Sequence, residues 1–511
     1  MDSLTKLGQR FVVGFRGLYP SDEFIEEVRR MKIGNIILFR DNIESRSQLK
    51  KLTKMLDEVI FEATSIHPFI MIDQEGGMVS RLSDDYALIP GAMALTATDD
   101  TEAIEECGYI TARELSESGV NFDIAPVLDI NTSLEKSILG VRSYGETAEE
   151  VIRYSLAMME GLRRGGVLSC SKHFPGHGDV AVDSHMGLPV SYKTEEELMA
   201  CELRPYVSAI EHGAPCIMTS HILFPSVDDS GYPATMSGRI INGILRTRLG
   251  FKGVVITDCL EMGAIKDHYT TGEGARRALL SGVDIACVSH TVSLAVSSME
   301  RIMEDEDWEK NQDESFERIM KLKNEYFPEK ALPLGDDELA SFRSYVDSVG
   351  ERTITLYRVK KPLSFSSDTL FIAPHPFVVT AIMNPEDRAL SFASTMASEF
   401  GGGSVEISID PDGNEIESVV KEASSWKQIV VGTYNGCFKR GQLELVKALG
   451  KTGCDLVVVA LRNPYDLKYA PENADLVALY EYSISSMKWF VKAVREKLPT
   501  TVRIPFLRGE N

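Results

Sequence analysis

The chain has 511 residues, 43% of them hydrophobic and 25% charged, and a formal net charge of -22 at pH 7. That length suits two or three domains with sizeable cores, and the acidity leaves no basic field to meet the phosphates of a nucleic acid or an anionic membrane. The opening "MDSLTKLGQRFVVGF" lacks the basic head, long apolar run and small-residue cleavage site of a secretory signal, and no segment offers about eighteen uninterrupted apolar residues; a soluble, cytoplasmic protein is expected. Eight cysteines occur without a C-x-x-C pair, and Cys170, Cys216 and Cys287 sit in apolar runs, so they read as reduced core thiols.

In chain order, eight short apolar runs open the sequence: "FVVGF", "GNIILF", "PFIMID", "FDIAPVLDI", "LSCSKH", "CIMTSH", "GVVITD" and "VDIACV". Each is followed by a stretch with helical spacing, such as "SDEFIEEVRRM" or "AEEVIRYSLAMMEGL". Eight strand–helix units over roughly 300 residues predict a (β/α)8 barrel of the TIM type. The charged helical text "SMERIMEDEDWEKNQDESFERIMKLKNEYF" then leads to a linker near Pro328 to Gly335; its charges read as a solvated helix face.

Beyond the linker, "TITLYR", "DTLFIAP", "SVEISI", "QIVVGTY", "DLVVVALRNP" and "ADLVALYEY" alternate with helical segments, predicting a C-terminal α/β domain with an open parallel sheet. The expected division is 1–327 for the catalytic barrel, 328–350 for a linker and connecting helix, and 351–511 for the second domain. "FGGGS" in the latter precedes a strand, whereas a phosphate-cradling loop follows one, so it reads as a turn.

Reactive groups of such a barrel come from the carboxyl ends of its strands. Five strands end in ionisable residues: Asp73-Gln74-Glu75, Asp129, Lys172-His173, His221 and Asp258. Carboxylates gathered there need cations or substrate hydroxyls to meet them, and Arg81 and Arg142 are candidates nearby. The loop after the fifth strand, "SKHFPGHGDVAVDSHMGLP", holds His173, His177 and His185 out of nine histidines in the chain. Its "DSH" sets Asp183 and His185 two residues apart, on one side of an extended backbone. A carboxylate beside an imidazole favours the protonated ring, which makes a general acid usable near neutral pH. Asp258 is suited to nucleophilic attack.

"KHFPGHGDVAVDSHMGLP", with "DQEGGMVSRL", "APVLDI", "GVRSYG", "MTSHI" and "GVVITDCLEMGAI" in the same order, resembles family 3 glycoside hydrolases of the β-N-acetylglucosaminidase branch over about residues 8 to 290. The resemblance implies Asp258 as nucleophile and His185 as acid/base assisted by Asp183. It implies that Asp73, Arg81, Arg142, Lys172 and His173 hold the hydroxyls of a terminal N-acetylglucosamine. The chain departs from the family pattern at Met78, where many relatives carry arginine. A retaining exo-β-N-acetylglucosaminidase is implied, trimming muropeptides or chitooligosaccharides with no cofactor and no metal. Its partner is a small carbohydrate ending in N-acetylglucosamine, with no nucleic acid and no membrane, and the protein is expected to be a monomer.

Four alternatives compete. Phosphorolysis would release N-acetylglucosamine 1-phosphate, because a histidine acid/base does not repel an incoming anion as a glutamate would; another family 3 activity such as β-glucosidase is the second. A metal-dependent amidohydrolase needs H-x-H closing the first strand, where the chain offers "VVGFRG", and a non-catalytic sugar-binding protein has no need of Asp258 together with Asp183 and His185.

Overall fold

The computed structural model describes residues 1–132, 139–177, 187–305, 308–309, 312–326, 333–375 and 390–497. The eight apolar runs form β1 (Phe11–Val13), β2 (Asn35–Leu38), β3 (Phe69–Ile72), β4 (Phe122–Asp123), β5 (Leu168–Phe174), β6 (Cys216–Thr219), β7 (Val254–Thr257) and β8 (Ala286–Val288). They pair in parallel in sequence order, with β8 beside β1. The ring closes where Ile256 bridges Ile285 and the Thr257 N–H donates to the Ile285 carbonyl at 3.0 Å.

Both faces of every strand are covered, which is why these runs are continuously apolar. Val12, Ile37, Met71, Cys170, Cys216 and Cys287 fill the barrel interior. Their neighbours Phe11, Val13, Ile36, Leu38, Ile70 and Ile72 point outward to the ring of helices. That alternation is the two-residue period of a strand, and it accounts for three buried thiols as packing atoms.

Charged groups also lie beneath the barrel. The Gln312–Tyr326 helix sends Ile319 and Leu322 into the interior core. Its buried Lys323 donates to Gln9 Oε1 at 2.7 Å and to the Gly34 carbonyl at 3.1 Å. Next to it, Asp284 pairs with Arg246 at 2.6 Å and Arg318 at 2.9 Å, and accepts the Val255 N–H at 2.8 Å. Arg10 closes the floor by donating to the carbonyls of Val283 and Asp284.

The second sheet runs β11 (Gly403–Ile407), β10 (Thr369–Pro374), β12 (Gln428–Thr433), β13 (Asp455–Ala460), β14 (Asp475–Ala478) and β9 (Thr355–Arg358). Five of these strands are parallel, and β9 joins β14 antiparallel. "TITLYR" therefore departs from the expected all-parallel sheet: it follows the helix Asp336–Thr353 directly and enters at the edge against the strand direction. That helix fastens the two halves, with Phe342, Val346 and Val349 in the barrel's outer core and Asp347 accepting from Trp489 Nε1 at 2.9 Å. "FGGGS" is a turn, with Gly401 and Gly402 at φ +80° and +101° just before β11. Among the described residues no helix is long and apolar enough to cross a membrane.

Candidate active site

At the carboxyl end of the barrel four side chains form a single network. Lys172, 1% exposed, reaches from β5 to Asp73 at 2.8 Å and to Glu75 at 2.6 Å. Arg142, from the loop after β4, grips Glu75 with both edges, Nε to Oε2 at 2.8 Å and Nη2 to Oε1 at 2.7 Å. Burial by itself would raise the Glu75 carboxyl and lower the Lys172 ammonium. The charges win: Arg142 and Lys172 hold Glu75 far below the ordinary carboxylate range, and Asp73 and Glu75 push Lys172 up to about 12. Glu75, Lys172 and Arg142 are therefore ionised at neutral pH, and Asp73 keeps part of its surface open for a ligand, its side chain being 20% exposed.

Backbone and amide contacts hold this network in place. Gln74 Oε1 accepts the Arg81 N–H at 2.8 Å, and its amide donates to Ser80 at 2.9 Å, which fastens the turn bearing Arg81. Burial draws the Arg81 guanidinium down, while the charges of Asp73 and Glu75 draw it up. Asp123, at the end of β4, accepts the Gln74 N–H at 2.9 Å, and burial pushes its carboxyl well above the usual range.

Asp129 performs a different task. Its buried carboxylate accepts His173 Nδ1 at 2.7 Å and the His177 N–H at 2.8 Å. Burial would raise it, and the adjoining His173 outweighs that and keeps it low. Asp129 thus anchors the start of the histidine loop and fixes Nδ1 of His173 as the donor, leaving Nε2 for another partner. His177 is itself buried, which lowers its imidazole. Asp183 and His185 lie outside the described residues.

Asp258 follows β7, partly exposed, and accepts the Cys259 N–H at 2.7 Å. The Cys287 thiol inside the barrel is raised by its hydrogen bond with Cys259, by burial, and by the charges of both Asp258 and Asp73. The two aspartates thus converge on one rim from β7 and β3. His221 belongs to the frame of this rim: its ring bonds Thr235 at 2.8 Å and the Cys259 carbonyl at 2.9 Å.

The structure brings together Asp73, Arg81, Arg142, Lys172 and His173, with Asp258 on the same rim. Glu75, which joins two of the cations, has no role in the sequence reading although it stands in the strand-end "DQEGG"; its place between Lys172 and Arg142 depends on side chains about 70 and 100 positions away. Met78 proves to be an interdomain residue. It is buried in the second domain's core cluster, and its sulfur accepts the Tyr482 N–H at 3.3 Å.

A closed parallel barrel with its polar groups gathered at the carboxyl rim is the frame of a (β/α)8 enzyme. The glycosyl hydrolase family 3 N-terminal domain matches residues 4–322. β-Hexosaminidase A of Pseudoalteromonas piscicida is 36% identical over 281 residues, 52% of this chain and 47% of its own length. This chain thus spans about half of that relative. A β-hexosaminidase of Methylobacillus flagellatus is 30% identical over 341 residues, 66% of this chain and 94% of its own. The solved structure of a family 3 β-N-acetylglucosaminidase from Paenibacillus sp. str. FPU-7 superposes with a TM-score of 0.88 at 33% identity, covering 99% of each chain. The chain belongs to glycosyl hydrolase family 3, within its β-N-acetylglucosaminidase branch.

Proposed function

We propose that this protein is a retaining exo-β-N-acetylglucosaminidase that removes the non-reducing terminal N-acetylglucosamine of muropeptides or chitooligosaccharides. The observation that carries the reading is the ion-paired Asp73–Lys172–Glu75–Arg142 network on the same rim as Asp258. Fixed carboxylates and cations of this kind offer acceptors and donors to the hydroxyls of one sugar ring without reorganising as it binds. Asp258 attacks the anomeric carbon as His185, supported by Asp183, protonates the departing oxygen; water activated by His185 then releases the aspartyl-linked sugar. His173, held by Asp129, and Arg81 complete the sugar's contacts. Residues 1–327 carry the chemistry, 328–350 connect, and 351–511 form the domain that meets the rim.

A panel of chromogenic β-N-acetylglucosaminide, β-glucoside and β-xyloside tests this. Turnover of the first is expected to exceed both others by about tenfold or more, a difference typical of a pocket that hydrogen-bonds one substituent. Preference for either of the others overturns the acetamido assignment.

A further inference from the structure

The second domain presents the carboxyl ends of its strands to the barrel rim. Asn131 in the barrel donates to Tyr465 OH at 2.6 Å, and a Cβ on Gly140, two residues before Arg142, would stand 2.5 Å from Asn463 Oδ1. Directly before Asn463, at the end of β13, comes Arg462. It is 4% exposed, and among the described residues no carboxylate pairs with it and its Nε has no hydrogen-bond partner. Its neighbours are the Tyr434 ring, 5.9 Å from the guanidinium carbon, and a second cation, Arg142. Burial and the Arg142 charge both draw the Arg462 guanidinium below its ordinary value, with the Tyr434 side chain, a neutral hydrogen-bond partner, opposing.

The strand end beside it carries a further unused donor. Asn463 Nδ2 donates to Asn435 Oδ1 at 2.7 Å, while Asn435 Nδ2, itself buried, has no partner among the described residues. A guanidinium does not shed its proton at neutral pH, so burying it beside another arginine is unfavourable unless an anion joins them. The contrast with Arg142 is informative: that arginine is buried at the same junction and has Glu75 on both edges.

We propose that Arg462, from the second domain, is the anion-binding residue of the composite site and takes an oxyanion next to the sugar subsite. A planar guanidinium meets a carboxylate or phosphate through paired hydrogen bonds. Two sources share that chemistry: a carboxylate on the leaving sugar, or free phosphate. The use of the anion in turnover rests on the activity proposed above; its binding does not.

Calorimetric titration of the full-length protein with inorganic phosphate and, separately, with lactate as a carboxylate probe reads the site without turnover. Saturable binding of at least one is expected, weakened about tenfold or more in Arg462→Met. Without added anion, Arg462→Met is also expected to unfold at a higher temperature than the parent, since it removes an uncompensated buried charge at similar volume. Arg462→Gln serves as the second variant should the first not fold. Phosphate binding alone assigns the site to free phosphate, and lactate binding assigns it to the leaving sugar. Failure of the parent to bind either anion, or equally tight binding by the folded variants, overturns the proposal. A parent that binds but turns over no β-N-acetylglucosaminide overturns the activity and leaves the anion site standing.

Discussion

The two ends of the barrel both bury charge, and they do so to different ends. At the floor, Asp284 is enclosed by Arg246, Arg318 and the Val255 N–H, and Arg10 donates to backbone carbonyls. At the rim, Asp73 retains exposed surface and Asp258 is partly open. Burial and charge therefore do not by themselves mark a site in this protein. What separates the rim is hydrogen-bonding capacity left for a ligand, at the end of the barrel where strand termini converge.

The sharpest test of that difference is Asp258→Ala. Removing the proposed nucleophile is expected to lower kcat by roughly 10³-fold or more on an aryl N-acetylglucosaminide while the thermal transition persists, because the sugar can no longer form the covalent intermediate. Near-parental turnover would break the assignment of the rim. Asp284→Ala is its counterpart at the floor: it takes from the partly buried Arg246 and Arg318 the buried carboxylate they share, an expected loss of about 3 kcal/mol in denaturant unfolding. The fraction that remains folded should keep kcat within about twofold, as no floor group reaches the rim chemistry. A large loss of kcat in folded protein would mean that the two ends are coupled.

Gly77→Ala probes the seam that holds the rim to the second domain. Gly77 has φ +53°, and a Cβ there would lie 2.6 Å from Glu481 Oε2 and 2.7 Å from the Gly91 nitrogen. Left-handed backbone alone costs a non-glycine residue about 1–2 kcal/mol, so a lower unfolding temperature is expected. A KM raised several-fold is expected with it, since Gly77 lies in the segment bearing Glu75. An unchanged KM would show that the seam is not needed to shape the sugar site.

The effect confined to a pH window concerns Asp123. Burial raises its folded-state carboxyl well above the usual value, so the folded protein holds a proton that the unfolded chain releases. That contribution is complete below the ordinary carboxyl pKa and is lost as pH rises towards the raised one, at up to about 1.4 kcal/mol per pH unit. Asp123→Asn does not titrate and keeps an acceptor for the Gln74 N–H. Its unfolding temperature relative to the parent is expected to climb as pH is raised from about 4 towards 7; a constant difference would show that Asp123 is not the proton's site.

Much of this architecture could be read in the chain because it is local. Continuous apolar runs, helical spacing and strand-end polar residues follow from the strand and helix periods and from coverage on both faces. The register of "DQEGG" after β3 and "KH" at the end of β5 was legible for the same reason. Glu75 stands in the same strand-end segment with no role legible from the sequence, because its meaning depends on Arg142 and Lys172, and no periodicity links residues that far apart. Met78 was legible as a departure from the family pattern, and its burial against Tyr482 was not.

The sequence by itself determined the two α/β halves, the strands that line the barrel, and the residue types delivered to its rim. Tertiary structure decided which of those charges neutralise one another, that β9 enters antiparallel, and that β13 and β14 bring Arg462 and Glu481 against the barrel loops. The physical reason is range: backbone periodicity is set within a few residues, whereas the balance between desolvation and ion pairing depends on groups hundreds of positions apart in the chain that meet only when both domains are folded.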